Sequence, residues 1–384
     1  MSDSSAPRTL PELRAAIDAV DDEILALIQH RAALAAEVGR RKHVQGSGPF
    51  YVPSREASII RRLLGKNGEL AAANHATKIP DEAVHGIYRE IIGACLALEH
   101  PLTIAYLGPE GTFSHSAATR QFGATAHYTP CANFEAVFDE VESGRVTYAV
   151  VPVENAFEGA VTPTLDLFAD MERSVQICAE IQLSIHHHLF SHAADLREIA
   201  TVISHPQPLG HCRQWLRNQL PQAQLLESSS TVRGAELILD AKNGAGTLDW
   251  RTSAVIGPES IADRFDLPLL ARNIEDHHDN TTRFFVIGNH DSPASGEDKT
   301  GLVISVKDVP GALFNVIRPF AERGIGLSRI ESRPSKRKLW EYLFLVDLIG
   351  HRDDANVAEA LAELRAMHGV ELKLLGSYPV SRKL

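Results

Sequence analysis

The chain has 384 residues, more than one hydrophobic core usually serves, so its length predicts two or three domains. Its formal net charge of -11 argues against a nucleic-acid scaffold, because phosphate binding depends on clustered Lys and Arg. The sequence has no apolar run that could span a bilayer, no signal-peptide core at its start and no C-x-x-C pair. We therefore expect a cytoplasmic protein with reduced, buried cysteines and no nucleic-acid or membrane partner.

The N-terminal segment predicts an all-α domain. Apolar residues recur at alternating steps of three and four from Leu10 to Val38, which indicates one long helix. A helix that continues to Lys42 would be about 50 Å long, more than a small helical domain can cover, so we expect self-association through it. Two further helical patterns follow, at 54–64 and 81–99.

Ionisable side chains interrupt the apolar faces of these helices. Arg31 stands where the register of the long helix calls for an apolar residue, Arg14 flanks the same face, and Lys42 follows Arg31 nearly in phase. Glu99 continues the apolar face of the last helix. An unpaired buried charge is strongly penalised, so each of these residues either reaches the surface or meets a ligand. Their recurrence favours a small-anion site.

After residue 100, short apolar strands alternate with amphipathic helices, which is typical of α/β domains. In open α/β sheets the ligand crevice lies outside the carboxyl ends of the strands, so the turns at these ends are expected to converge on one site. Candidate turns are at 108–114, 154–155, 204–206, 228–231, 257–259 and 280–283. The run His186–His188 does not predict a metal site, because adjacent strand residues point to opposite faces.

The segment 289–299 has the composition of a linker, and the pattern after it predicts the order βαββαβ of a ferredoxin-like fold. A Gly at 311 in the first strand-to-helix turn admits close backbone approach, and the helix start can receive a carboxylate. The predicted domains are 1–100, 101–290 and 299–384.

The charged residues of 9–100 have a spacing that resembles the AroQ-type chorismate mutases. The resemblance implies an intertwined dimer of three-helix subunits that rearranges chorismate to prephenate, with one arginine reaching into the partner's site. This reaction needs no nucleophile, only enforced geometry and donors aimed at the ether oxygen. The resemblance implies substrate contacts from Arg14, Arg31, Lys42, Val52, Arg55, Glu56, Cys95 and Glu99.

Within that set, the three arginines would bind the carboxylates, Lys42 and Glu99 would face the ether oxygen, and Glu56 would hold the ring hydroxyl. Many family members carry Gln where this chain has Glu99, so a donor at this position requires a protonated carboxyl. Burial raises a carboxyl pKa, so we expect mutase activity to fall as pH rises. Cys95 and Val52 stand where some members have polar side chains.

Five motifs in order, at 108–114, 153–155, 204–207, 229–231 and 282–284, resemble prephenate dehydratase along residues 103–288. The resemblance implies two α/β lobes, like those of periplasmic binding proteins, with prephenate in the cleft between them. Prephenate would lose its ring carboxylate and hydroxyl, with Thr282 donating a proton to the leaving group and Arg283 on a carboxylate. The resemblance implies further substrate contacts from Thr112, Ser114, Asn155, Ser204, Thr231 and Phe284.

Two C-terminal motifs resemble the ACT domain of bifunctional P-proteins, in which phenylalanine binds between paired domains. The residues that this resemblance assigns to the effector are Gly311, Ala312, Leu313, Glu331, Ser332, Arg333 and Pro334. Together the three resemblances predict a homodimeric or larger enzyme that needs no cofactor or metal. It would convert chorismate through prephenate to phenylpyruvate under feedback from L-phenylalanine.

Two alternatives stay open at the level of sequence. A non-enzymatic regulator would combine a ligand-binding α/β module and a sensor with a helical dimerisation arm, and it would not need a hydroxyl such as that of Thr282. An arogenate dehydratase would differ only in its substrate.

Overall fold

A computed structural model describes residues 8–45, 49–74, 78–307, 309–335 and 341–381. The N-terminal part is all-α, as predicted, with α3 packed along both other helices. Its elements are α1 (Leu10–Gln45), α2 (Pro53–Asn74) and α3 (Asp81–Glu99). Thr9 begins α1 through the predicted capping box, with its backbone N–H donating to Glu12 at 2.7 Å. The second helix runs ten residues beyond the predicted 54–64, because Ala-rich sequence continues it past two glycines.

The first lobe of the α/β part is built on a mixed sheet. Its first elements are β1 (Thr103–Leu107), α4 (Phe113–Phe122), β2 (His127–Cys131), α5 (Phe134–Glu142), β3 (Tyr148–Asn155), β4 (Gly159–Ala160), α6 (Thr162–Ala169) and β5 (Gln176–Ser184). The strands β1, β2 and β3 are parallel, as expected of strands joined by helical crossovers.

The chain then enters a second lobe, whose sheet has the order β10-β6-β9-β7-β8. Its elements are β6 (His188–Ser191), a 3-10 turn (Leu196–Glu198), β7 (Thr201–Ser204), α7 (Pro206–His211), α8 (Arg213–Gln219), β8 (Gln224–Glu227), α9 (Thr231–Lys242), β9 (Ser253–Gly257), α10 (Ser260–Phe265) and β10 (Leu269–Ala271).

The chain returns to the first lobe as β11 (Thr281–Gly288), which lies antiparallel between β3 and β5. The first-lobe sheet therefore has the order β2-β1-β3-β11-β5, with β4 paired to β3. Two segments connect the lobes, one after β5 and one before β11. This arrangement confirms the predicted two-lobed α/β fold.

The C-terminal domain has the predicted ferredoxin-like order βαββαβ. It consists of β12 (Asp298–Lys307), α11 (Ala312–Glu322), β13 (Leu327–Pro334), β14 (Glu341–Ile349), α12 (Ala355–Ala366) and β15 (Val370–Pro379), with the sheet order β13-β14-β12-β15. The first residues of the strand predicted at 339–349 lie outside the described residues. One face of this sheet packs against its two helices, and the other continues the core of the first lobe, where Val303 and Leu345 join Phe285 and Ile177.

Arg283 lies on β11 and points into this contact between the first lobe and the C-terminal domain. Its guanidinium is 2.7 Å from Glu180 on β5 and 2.6 Å from Asp347 on β14, and it donates to the Tyr378 hydroxyl at 3.0 Å. Arg329 adds a second guanidinium at 3.0 Å from Asp347. These contacts form a buried ion cluster that spans the two domains.

The placement of Arg283 corrects the expectation that it binds a substrate carboxylate. Adjacent strand residues point to opposite faces, so when Thr282 faces one side of the sheet Arg283 must face the other. Asp347 is fully buried, and although burial would raise its pKa, Arg329 and Arg283 outweigh that effect and lower it.

We predict that Arg283→Ala lowers the free energy of unfolding by about 3 kcal/mol or more, because it leaves two buried carboxylates short of a partner. Urea denaturation of both proteins would measure the loss. The matched control is Arg145→Ala, which removes the partner of Glu140 from an exposed pair and should leave the transition nearly unchanged. Equal, small effects from both variants would show that leaving Glu180 and Asp347 short of a partner is not penalised, and would contradict the prediction.

A second constraint on the domain contact is the absence of a side chain at Gly376. A Cβ atom there would lie 2.5 Å from the carbonyl oxygen of Ile177 on β5, and the backbone has φ +127°. Gly369 also has a positive φ, +78°, but a Cβ atom there would meet no neighbour within 4 Å. Replacement by alanine would therefore strain the backbone at both positions, but only Gly376→Ala would also create a clash.

We predict that Gly376→Ala lowers the midpoint of thermal unfolding clearly more than Gly369→Ala does. Both variants incur the positive-φ penalty of about 1–3 kcal/mol, and Gly376→Ala adds the displacement of β15 from β5. Scanning calorimetry of the two variants against the unaltered chain would check this. Indistinguishable midpoints would contradict the close approach.

Candidate functional site

A cavity of about 820 Å³ lies between the two lobes and is lined by both. Of the residues predicted to contact the dehydratase substrate, this cleft collects Thr112, Ser114, Asn155, Thr231, Thr282 and Phe284. Ser204 is not among its lining residues, because the side chain is fully buried and donates to the Ile256 carbonyl oxygen at 2.7 Å. Arg283 is the other predicted residue that the cleft does not include.

Thr282 and Asn155 are paired across β11 and β3, and hydrogen bonds fix how they face each other. The Asn155 Oδ1 accepts from the backbone N–H groups of Phe157 and Glu158 at 3.0 and 3.2 Å. A backbone N–H can only donate, so the amide orientation of Asn155 is set and its Nδ2 faces Thr282 Oγ1 at 2.9 Å. Thr282 therefore accepts from Asn155, and its own hydroxyl hydrogen is free to donate into the cleft.

The N-termini of two longer helices border the same cleft. Thr112 caps α4 and Ser230 caps α9, each through a side-chain oxygen that accepts a backbone N–H. Helix N-termini carry partial positive charge, so the N-termini of α4 and α9 both favour the binding of an anion in the cleft. Among the described residues that line the cleft, none is Lys or Arg.

Three ionisable residues of the cleft lie outside the five predicted motifs. Glu158 follows β3, whereas His187 and His211 belong to the second lobe, and all three line the cavity. Burial, reinforced by His211, lowers the pKa of His187 to about 3, so its ring is neutral. A helical signal could have identified His211, because it lies four residues after Gln207 on α7 and so shares its face.

In the helical domain, Gly39 lets α3 approach α1 closely, since a Cβ there would lie 3.0 Å from the Glu99 Cα. The approach brings Lys42 Nζ to 3.8 Å from Glu99 Oε2, and Lys42 also donates to the carbonyl oxygens of Pro49 and Phe50 at 3.2 Å. Burial raises the pKa of Glu99, while Lys42 and Arg31 act to lower it. The buried Cys95 lies one helical turn before Glu99.

The other predicted mutase residues do not join this group. Arg14 and Arg55 are exposed, and Val52 is half-buried just before α2. Glu56 is buried but forms an ion pair with Arg89 of α3, so the structure gives its carboxylate a protein partner. Along α1, Arg14 and Arg31 are about 26 Å apart at 1.5 Å per residue, too far for one small ligand.

In the C-terminal domain, Gly311, Ala312 and Leu313 line a cavity of about 200 Å³ against Tyr342 and Phe344. Gly311 has φ +82° and begins α11. Glu331 to Pro334 lie on β13, the edge strand of the sheet, and do not line this cavity. Arg333 instead pairs with Asp166 of α6 at 2.5 Å. One copy of the domain therefore does not bring the two predicted effector motifs together.

The described residues contain no group of three His, Cys, Asp or Glu side chains placed to hold a metal ion. A search of the same residues found no helix with the length and apolar character needed to cross a membrane.

Three family models match the chain in order: chorismate mutase type II at residues 13–100, prephenate dehydratase at 104–292 and the ACT domain at 300–366. A bifunctional chorismate mutase/prephenate dehydratase of Aquifex aeolicus is 45% identical over 96% of this chain and 98% of its own length. The corresponding protein of Neisseria gonorrhoeae is 41% identical over 97% and 99%.

A crystal structure of the prephenate dehydratase from Arthrobacter aurescens in complex with L-Phe covers 73% of this chain and 90% of its own, with 35% identity and a TM-score of 0.65. Because near-full-length relatives share more than 40% of its residues, the chain belongs to the family of bifunctional chorismate mutase/prephenate dehydratases.

Proposed function

We propose that this chain converts chorismate to prephenate in a helical mutase at 1–100 and prephenate to phenylpyruvate in the cleft of a dehydratase at 101–290. L-Phenylalanine would inhibit it by binding to an ACT domain at 299–384. The Thr282 hydroxyl, held by Asn155 with its hydrogen free for the cleft, is the observation that carries the dehydratase assignment. The family membership supports both reactions and a place in the cytoplasm.

The mutase site requires a second copy of the chain. The apolar face of α1 is exposed, with Ile17, Ile24 and Leu27 at 59%, 48% and 68%. Such a face is unfavourable in water unless another surface covers it, and a second α1 offers the same apolar stripe. An antiparallel partner would also bring its Arg14 towards the Arg31, Lys42 and Glu99 of this copy. We therefore infer a homodimer in which Arg14 completes the partner's site.

In the dehydratase cleft, a substrate carboxylate would lie near the N-terminus of α4 or α9. The ring hydroxyl would lie at Thr282, whose Oγ1 already accepts from Asn155 and can therefore donate its hydrogen to the departing oxygen. Breaking the bond to the ring carboxylate releases CO2, and the electron pair left behind expels the ring hydroxyl as the ring becomes aromatic. The hydroxyl leaves as water with the proton from Thr282, which regains a proton from solvent. Phe284, buried on the same face, would support the ring.

Regulation by phenylalanine would use two C-terminal domains. The Gly311 turn of one copy and the Glu331–Pro334 strand edge of the other would enclose the amino acid, because one copy keeps them apart. The complex of the Arthrobacter aurescens dehydratase with L-Phe supports this assignment. The ion cluster around Arg283 offers a route from the ACT sheet to the strand that carries Thr282.

The proposed function is tested by supplying the purified chain with chorismate and following phenylpyruvate with and without L-phenylalanine. We predict that Thr282→Ala lowers the dehydratase kcat about a hundredfold or more, because it removes a proton donor. Thr282→Ser keeps the hydroxyl and should retain most of the activity. The conversion of chorismate to prephenate serves as an internal control and should be unchanged. Full dehydratase activity in Thr282→Ala would refute this role.

For the mutase, we predict a rate that falls as pH rises through the raised pKa of Glu99. The protonated carboxyl can donate to the ether oxygen of chorismate, so activity is present below that pKa and is lost above it. Glu99→Gln places an uncharged donor there at every pH and should flatten the profile. A wild-type rate that is constant from mildly acidic to alkaline pH would contradict the prediction.

A further inference from the structure

Glu158 connects the two lobes across the mouth of the dehydratase cleft. It follows β3 in the first lobe, and its carboxylate reaches α7 in the second. There Oε1 lies 3.0 Å from His211 Nε2, and Oε2 is in close contact with Gln207 Nε2. Each carboxylate oxygen thus faces one nitrogen of the opposite lobe.

The hydrogen bonds around His211 determine which of its ring nitrogens carries the proton. Asn155 Nδ2 donates to Asn280 Oδ1 at 2.9 Å, which turns Asn280 Nδ2 towards His211 Nδ1 at 3.3 Å. An amide nitrogen can only donate, so His211 Nδ1 is an acceptor. The neutral His187 also reaches this atom, with its Nε2 at 3.1 Å. With Nδ1 accepting, the ring proton of His211 lies on Nε2, towards Glu158 and the cleft.

His211 Nε2 is a buried donor that Glu158 does not satisfy. The Glu158 oxygen lies at hydrogen-bonding distance, but the alignment is poor, and no described residue completes a hydrogen bond to this nitrogen. The His211 side chain is only 13% exposed, whereas that of Glu158 is 42% exposed. A buried donor without a well-aligned acceptor is unfavourable, so a better-placed acceptor would be bound there.

We propose that Gln207 and His211 form a receptor for one substrate carboxylate, which the Glu158 carboxylate occupies when the cleft is empty. The proposal rests on the dehydratase function proposed above. Prephenate carries two carboxylates, and with no Lys or Arg among the described lining residues, neutral donors must bind them. Substrate would displace the half-exposed Glu158 towards solvent, where its charge is easily hydrated, and would replace it as the link between the lobes.

The first test compares KM for prephenate in variants of the receptor. His211→Ala should raise KM about tenfold or more with a smaller effect on kcat, because one hydrogen bond to a charged group is lost. His211→Gln restores a donor nitrogen and should recover most of the affinity. Mutase activity on chorismate reports that each variant is folded. A KM unchanged in His211→Ala would overturn the proposal.

The second test removes the negative charge of Glu158. Glu158→Gln keeps the size of the side chain but abolishes its charge, so prephenate no longer competes with a carboxylate and KM should fall about threefold or more. The matched control is Glu236→Gln, which neutralises a similarly exposed acid of the second lobe that does not line the cleft. It should leave KM within about twofold. A KM that rises or stays constant in Glu158→Gln would overturn the proposal even if His211→Ala fails to fold.

Inhibition by phenylpyruvate identifies which carboxylate is bound, because this product keeps the side-chain carboxylate of prephenate and lacks the ring carboxylate. If His211→Ala weakens inhibition as much as it raises KM, the receptor holds the side-chain carboxylate. If only KM changes, it holds the ring carboxylate, and either result supports the receptor. Failure of the wild-type chain to form phenylpyruvate would instead refute the dehydratase function itself.

Discussion

Strand β11 is the element on which the arrangement of this protein depends. Because neighbouring residues of a strand point to opposite faces, it presents Thr282 to the cleft and Arg283 to the ion cluster beneath the C-terminal sheet. The strand lies between β3, which supplies Asn155, and β5, which supplies Glu180. The position of β11 is therefore fixed by contacts on both faces, with the cleft on one and with the C-terminal domain on the other.

The ion cluster makes the contact with the C-terminal domain specific. Two carboxylates, Glu180 and Asp347, share Arg283, while Lys299 and Arg329 add one cation to each. Buried charges of this kind contribute little net stability but strongly penalise a misplaced partner, so the docking geometry has little freedom. A ligand that favours one arrangement of paired C-terminal domains would thus act directly on the strand that carries Thr282.

The helical domain is connected to the same region. Glu180 also accepts the backbone N–H of Ser381 at 2.9 Å, next to a small cavity bordered by α2 and α3. Arg61 of α2 pairs with Glu297 just before β12 at 3.3 Å. These contacts connect the C-terminal domain to the mutase as well as to the dehydratase, so effector binding there could influence both activities.

The sequence predicted the three folds and most of the cleft, because its motifs lie at strand ends whose convergence follows from α/β topology. The environments of other residues are set by contacts distant in sequence, which their own segments do not reveal. Arg283 was assigned to substrate since nothing in its own segment reveals Asp347 on a strand of another domain. Likewise, the ion pair of Glu56 with Arg89 depends on how α2 packs against α3. Alternation along β11 alone could have shown that Thr282 and Arg283 face opposite sides.

The cleft also explains how a protein of net charge -11 can handle a dianion. Its donors are helix N-termini, hydroxyls, an amide and an imidazole N–H, which orient an anion by direction more than by charge. When one carboxylate leaves as CO2, uncharged donors lose much less interaction free energy than a guanidinium would. The same set of donors can therefore bind prephenate with two charges and release phenylpyruvate with one, while the fixed amides of Asn155 and Asn280 keep Thr282 and His211 in their donating orientations throughout.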